Sequence, residues 1–386
     1  VHEHTFTEIE GGVRMEDRVD YEMPFGPLGS LAHRAAGRAQ LEYVFDFRSI
    51  AIDNIFEPAG DPGAAPPGTV AVAGGTGFVG GEIARELRRR GRRVIVLSSQ
   101  GDGARGQLPD DIEIRRADVR DPVTLDTALA GVDELVISLA FPGLPVEQPK
   151  KGFTFMEVDA GGTQALVAAG QRTGVGRVVY LSGAGAGHDA ERHWFRAKAV
   201  AEDAIRASGM AWTILRPTWI YGPGDVSLNR FLGFARALPF VPMTNFGNQQ
   251  LAPIFVGDVA ALAADSLEQD AAAEQVFEVG GPETLSMKEI LHRAMSIAEL
   301  RKPVIPGPAP LIKVMAWPMR FLPNPPLSPD AVDFVNQPAT VDIEPLLAAM
   351  PRQLARFEDG LATYLGSQRA TVAIDAEVEE GVGAAA

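Results

Sequence analysis

Short apolar runs of strand length recur through the middle of the chain, at residues 70–73, 93–97, 112–117, 134–140, 177–181 and 212–215, with helical segments between them. Continuous apolar runs, unlike alternating ones, mark strands buried on both faces, so the pattern predicts a parallel sheet with helices on each side. The first unit is the clearest: a strand at 70–73, a helix over 79–90 closed by Gly91, and a strand at 93–97. The expected fold class is α/β, a doubly wound parallel-sheet Rossmann fold.

The flanks read differently. Partial alternation over 5–9 and 13–22 about Gly11 and Gly12 predicts a hairpin, and a helix is expected from 28 to about 52. Residues 53–68 form a linker, because Pro58, Pro62, Pro66 and Pro67 with Gly60, Gly63 and Gly68 suit neither helix nor ladder. The sheet domain then covers 69–217. From 218 to 365 proline-rich turns mix with short helices, including a capping box at Ser286-Met287-Lys288-Glu289, which predicts a smaller substrate lobe interleaved with the sheet. The acidic segment 366–386 is expected to be disordered.

Composition narrows the function classes. A formal charge of −15 opposes nucleic acid, whose phosphates demand clustered cations. The run Arg85, Arg88, Arg89, Arg90, Arg92, Arg93 ends a predicted helix, where it complements the dipole and reads as a solvated face. Without cysteine there is no disulfide or thiolate nucleophile, and the six histidines lack metal-ligand spacing. No run approaches the roughly 18 apolar residues of a membrane span, and the N-terminus lacks signal-peptide order, so a cytoplasmic location is expected.

Candidate chemistry centres on Gly74-Gly75-Thr76-Gly77-Phe78-Val79-Gly80, which follows a predicted strand and opens a helix. Gly74 would make the tight turn, Gly77 admit a pyrophosphate to the backbone, and Gly80 let helix and strand pack closely. The helix N-terminus would face the phosphates. Asp118 and Val119 close the third strand, and Leu139 and Ala140 the fourth, at the edge where a dinucleotide lies; Asp118 serves either the adenine or its own turn. The second strand ends in Ser98, Ser99 and Gln100, without the acid that binds the ribose of NAD. NADP(H) is therefore favoured over NAD(H), with Arg105 either its 2′-phosphate partner or a loop charge.

From Thr69 to Leu365 the chain resembles the extended and atypical short-chain dehydrogenases, a group that includes NAD(P)-binding epimerase-like proteins and the NDUFA-nine-like accessory subunit of respiratory complex I. The resemblance rests on the glycine motif together with Ala117-Asp118-Val119-Arg120-Asp121, Val179-Tyr180-Leu181-Ser182-Gly183-Ala184, Leu215-Arg216-Pro217-Thr218-Trp219-Ile220-Tyr221-Gly222-Pro223-Gly224 and Phe255-Val256-Gly257-Asp258-Val259-Ala260. It implies a Tyr-x-x-x-Lys pair, but the register gives Trp194-Phe195-Arg196-Ala197-Lys198. Lys198 is implied to hold the nicotinamide ribose, and Pro217 to border the cofactor. An indole cannot shuttle a proton at neutral pH. Ser182, Tyr221, His188 and His193 are the remaining candidates for acid or hydroxyl.

Residues 1–52 resemble the C-terminal part of helix-grip (START-like, SRPBCC) domains through His2-Glu3-His4-Thr5-Phe6, Asp17-Arg18-Val19-Asp20-Tyr21 and Pro24-Phe25-Gly26-Pro27-Leu28-Gly29, as if the chain began inside a fusion. Three functions follow from the whole: an NADP-preferring oxidoreductase or epimerase-like enzyme on an apolar carbonyl or alcohol, a structural dinucleotide-binding subunit, or a redox-sensing regulator. The segment 308–327, with Leu311, Ile312, Val314, Met315, Trp317, Met319, Phe321 and Leu322 around Lys313 and Arg320, either roofs the cleft or docks on a membrane or partner protein.

Overall fold

The computed structural model describes residues 2–9, 12–19, 38–106, 108–141, 147–149, 152–310, 314, 317, 337 and 339–365. Strands β1 (His2–Ile9) and β2 (Gly12–Val19) pair antiparallel in the expected hairpin. The following helix, Arg38–Phe56, runs four residues past the expected end at 52; its Ile50 is buried in a cluster with Leu228 and Leu232. Residues 28–37 of that expected helix lie outside the described residues. The helix-grip resemblance of this region is not supported: the family model that matches the chain covers residues 74–234.

Seven parallel strands make the central sheet. They are β3 (Thr69–Ala73), β4 (Arg93–Ser98), β5 (Glu113–Arg116), β6 (Glu134–Ile137), β7 (Arg177–Leu181), β8 (Ala211–Pro217) and, after the short strands β9 (Ile220–Tyr221), β10 (Val241–Thr244), β11 (Gln250–Leu251) and β12 (Ile254–Phe255), β13 (Gln275–Val279). Their order is β5-β4-β3-β6-β7-β8-β13, so the chain starts in the middle, builds to one side, and returns across β3 to build the other. The reversal between β3 and β6 opens a crevice at the carboxyl ends of the strands.

Alternate side chains of each strand enter opposite cores. Val70, Val72, Val94 and Val96 pack with Ile83 and Leu87 of the helix Phe78–Arg89 and with Val259 and Leu262 of the helix Val256–Glu268. Ala71, Ala73, Ile95 and Leu97 pack on the other side with Leu166, Ala201 and Ile205, from the helices Gly162–Thr173 and His193–Arg206. Two elements beyond residue 218, the helix Val256–Glu268 and β13, thus complete the Rossmann unit. The rest of the second lobe holds three short strand pairs around its own core, and the Ser286 capping box forms.

One expectation changes. The basic run is not a solvated face: Arg88 pairs with Asp111 at 2.8 Å, Arg90 with Asp265 at 2.7 Å, and Arg92, which is buried, with Glu134. Charges that far inside require partners, and the fold brings them from distant segments. The Pro/Gly linker is likewise anchored. Gly60 donates to the Arg88 carbonyl at 3.1 Å, and a Cβ on Gly91 would stand 2.2 Å from the Asp61 carbonyl, so glycine is needed where the two backbones touch.

Candidate functional site

The glycine segment lies at the crevice. Gly74 has φ +80°, and a Cβ there would stand 2.3 Å from the Ser138 carbonyl at the end of β6. A Cβ on Gly80 would stand 2.2 Å from the Gly74 carbonyl, so this glycine lets the helix sit directly on the loop. Gly77 differs: it is exposed, its φ and ψ of −88° and 178° suit any residue, and a Cβ would meet only the Gly74 carbonyl, at 3.2 Å. Gly77 is also the N-cap of the helix Phe78–Arg89, and no side chain caps that helix.

An exposed helix N-terminus without a capping side chain, next to a glycine with open space, fits a dinucleotide pyrophosphate: the orphan N–H groups and the dipole both favour an anion. Thr76 is exposed beside Gly77, and Val79 packs inward on the core. Phe78 packs on the second lobe, since a Cβ on Gly224 would stand 2.8 Å from its ring. Val119 and Leu139 both line Gly162, where a Cβ would meet them at 2.8 and 3.3 Å, and Ala140 is exposed at the rim.

The other candidates divide. Ser98 is buried, and its hydroxyl accepts from the Gln100 N–H at 3.2 Å; Ser99 is exposed. Arg105 donates to the carbonyls of Pro109 and Ile112 and to Asp102, all in its own loop. Asp118 makes its own turn, accepting from the Arg120 backbone at 3.0 Å and pairing with that guanidinium at 3.1 Å. Burial opposes the Asp118 charge, yet these Arg120 bonds hold its pKa below the usual carboxylate range.

The proposed acids and hydroxyls each meet a protein partner. Ser182 is buried and donates to Glu202 Oε1 at 2.6 Å; Glu202 is itself clamped by Arg216 at 2.7 Å and Arg206 at 2.8 Å. Although burial works against it, hydrogen bonds from Arg216 and Ser182 keep the Glu202 pKa depressed. Tyr221 is wholly buried, donating to the Phe357 carbonyl at 3.2 Å, and burial drives its pKa upward. His188 lies on the surface 2.9 Å from Asp203, and His193 packs against Phe155 and Trp194, 3.6 Å from Glu147.

Trp194, in the place the resemblance gives to tyrosine, is buried with Phe141, Phe155 and Val158. Lys198 meets three acceptors: Leu139 O at 3.0 Å, Leu181 O at 3.3 Å and Asp159 Oδ1 at 3.1 Å. Burial works against the ammonium, but Tyr180 and Asp159 beside it raise its pKa above that of ordinary lysine. Burial also pushes the Tyr180 hydroxyl up to about 12. Asp159 and Glu202 escaped the reading of the sequence. Glu202 stands four residues after Lys198, on the same helix face, and Asp159 is a lone acid between the buried Val158 and Ala160; both spacings were available as signals.

This arrangement defines a class: residues 74–234 match the NAD(P)H-binding family, and the chain has an NAD(P)-binding, oxidoreductase- or epimerase-like fold with homologues among complex I subunits. Among its relatives is subunit 9 of the mitochondrial NADH dehydrogenase (ubiquinone) 1 alpha subcomplex of Arabidopsis thaliana, 28% identical over 261 residues, covering 66% of this chain and 63% of that protein. An NAD(P)H azoreductase of Xenophilus azovorans is 26% identical over 226 residues, covering 57% of this chain and 71% of the relative. The UDP-glucose 4-epimerase of Thermus thermophilus, solved with NAD, shares the fold at a TM-score of 0.58 and 23% identity, covering 77% of this chain and 97% of that one. Among the described residues no helix is long and apolar enough to cross a membrane.

Proposed function

We propose that this chain holds NADP(H) as a resident group and lacks the proton relay with which short-chain dehydrogenases interconvert carbonyls and alcohols. The carrying observation is the saturation of Lys198. An ammonium has three protons, and three protein acceptors within 3.3 Å take them. With the Tyr180 hydroxyl also beside it, the ammonium is engaged inside the protein. Trp194 supplies an N–H that does not ionise near neutrality, and Ser182 and Tyr221 are turned to structural partners. In this reading the alternative, a nucleotide-binding subunit, is placed ahead of the enzyme expected first from the sequence.

The relatives named as NADH dehydrogenase subunits support a place in an assembly. Phe246, Ile305, Val314 and Trp317 expose apolar surface on the second lobe where a protein partner would dock; the rest of 311–327 lies outside the described residues. A second reading, reduction of an acceptor that takes its protons from water, is favoured by the relative named as an azoreductase. One experiment separates them. Protein purified without added nucleotide is denatured and the released dinucleotide quantified, while the native sample is supplied with NADPH and a panel of ketones, quinones and azo compounds. Stoichiometric retained nucleotide without NADPH consumption is expected; catalytic turnover of any acceptor overturns the proposal.

A further inference from the structure

Within that reading, which this inference deepens, we infer that Arg116 receives the 2′-phosphate of the bound nucleotide and so sets its preference for NADP(H). The register of the sheet carries the argument. Arg116 ends β5 directly beside Ser98, which ends β4. Ile114 and Arg116 point to one face, Val96 and Ser98 to the same face, and that face carries the helix opened by the glycine segment. The adenosine ribose of a dinucleotide lying on Gly77 belongs at the end of the second sheet strand. Arg116 is one inter-strand step from that point, about 4.8 Å.

Its surroundings leave it available. Arg85, Arg88, Arg89, Arg90, Arg92, Arg93, Arg105, Arg115 and Arg120 of the same half all pair with carboxylates. Arg116 is exposed and, among the described residues, makes no hydrogen bond or ion pair. Its charged neighbour Asp118 feels the Arg116 charge at a distance but spends its hydrogen bonds and ion pair on Arg120. The neighbouring loop opens with Gly101 at φ +59°, where an added Cβ would lie 3.7 Å from the Arg116 Cβ, in ordinary contact, so this loop runs beside Arg116 without burying it. An unpaired guanidinium in a chain of net charge −15, beside two serines instead of an acid, suits a phosphate dianion, which its planar fork can bind through two parallel bonds.

The test is calorimetric titration of the full chain, cleared of nucleotide, with 2′,5′-ADP and 5′-ADP as probes, followed by NADPH and NADH. Charge-assisted bonds to the extra phosphate should favour 2′,5′-ADP by about 10- to 100-fold. Arg116→Ala should abolish that preference and leave 5′-ADP and NADH affinities in place, Arg116→Lys should retain part of it, and Arg105→Ala should keep it. Equal binding of the two probes by the wild type, or a preference that survives in Arg116→Ala, overturns the assignment. Equal loss of NADH and NADPH in Arg116→Ala does so too, since it marks a structural role. Turnover of NADPH would defeat the resident-nucleotide reading without touching this result, so the two failures are distinguishable.

Discussion

Replacing Gly77 with alanine separates binding from folding, because the structure assigns the two to different glycines. At Gly77 the backbone already suits alanine, and the added methyl meets one protein atom, the Gly74 carbonyl at 3.2 Å, which must give by a few tenths of an ångström. That strain is partly offset by the lower entropy of the unfolded alanine chain, about 0.4–1 kcal/mol, so net stability should move by no more than about 1 kcal/mol. The same methyl occupies the open space before the helix N-terminus. If a pyrophosphate sits there, it loses at least one charge-assisted bond to a backbone N–H, about 1.5–3 kcal/mol, which is about 10- to 100-fold in affinity. Gly80→Ala should behave in the opposite sense: its Cβ would stand 2.2 Å from a backbone oxygen, so the helix must shift and the fold lose about 3 kcal/mol. Urea unfolding and calorimetric titration with NADPH measure both quantities. A folded Gly77→Ala protein that binds within about threefold of wild type would refute the assignment of the phosphate site to this helix.

Three further outcomes follow from the geometry. Glu202→Gln leaves Arg216, Arg206 and Ser182 without their carboxylate and should cost about 3–5 kcal/mol. Because the folded pKa of Glu202 lies below its ordinary value, its contribution is present above about pH 4.5 and is lost as pH falls through the folded pKa; the variant's urea midpoint should depend less on acidification, and an unchanged profile would contradict the network. Tyr221→Phe should lose about 1 kcal/mol of stability with dinucleotide affinity unaltered, and a drop in affinity by titration would return this residue to the site. Lys198→Met and Asp159→Asn should each destabilise by leaving a buried group unpaired, and the double variant should recover much of the loss; purely additive unfolding energies would show that the pair does not interact.

The parallel sheet and the glycine turn that opens its first helix were legible in the sequence, because they rest on local signals: continuous apolar strands and a strand-to-helix turn that needs glycine. The tight turn at Gly74 and the close packing at Gly80 follow from the motif, and in the structure a Cβ at either would collide with backbone while Gly77 has open space. The roles of Ser182, Tyr221, Lys198 and Arg105 were not legible, since a polar side chain is free or engaged according to partners distant in the chain. Ser182 is taken by Glu202 on a helix 20 residues later, Tyr221 by a carbonyl 136 residues away, and Lys198 by acceptors at Leu139, Asp159 and Leu181. Arg105 is held within its own loop by carbonyls whose direction composition does not encode. The fold chose the partner of each of these groups, because a buried hydrogen-bonding group must find a partner and only the folded chain determines which partner is near.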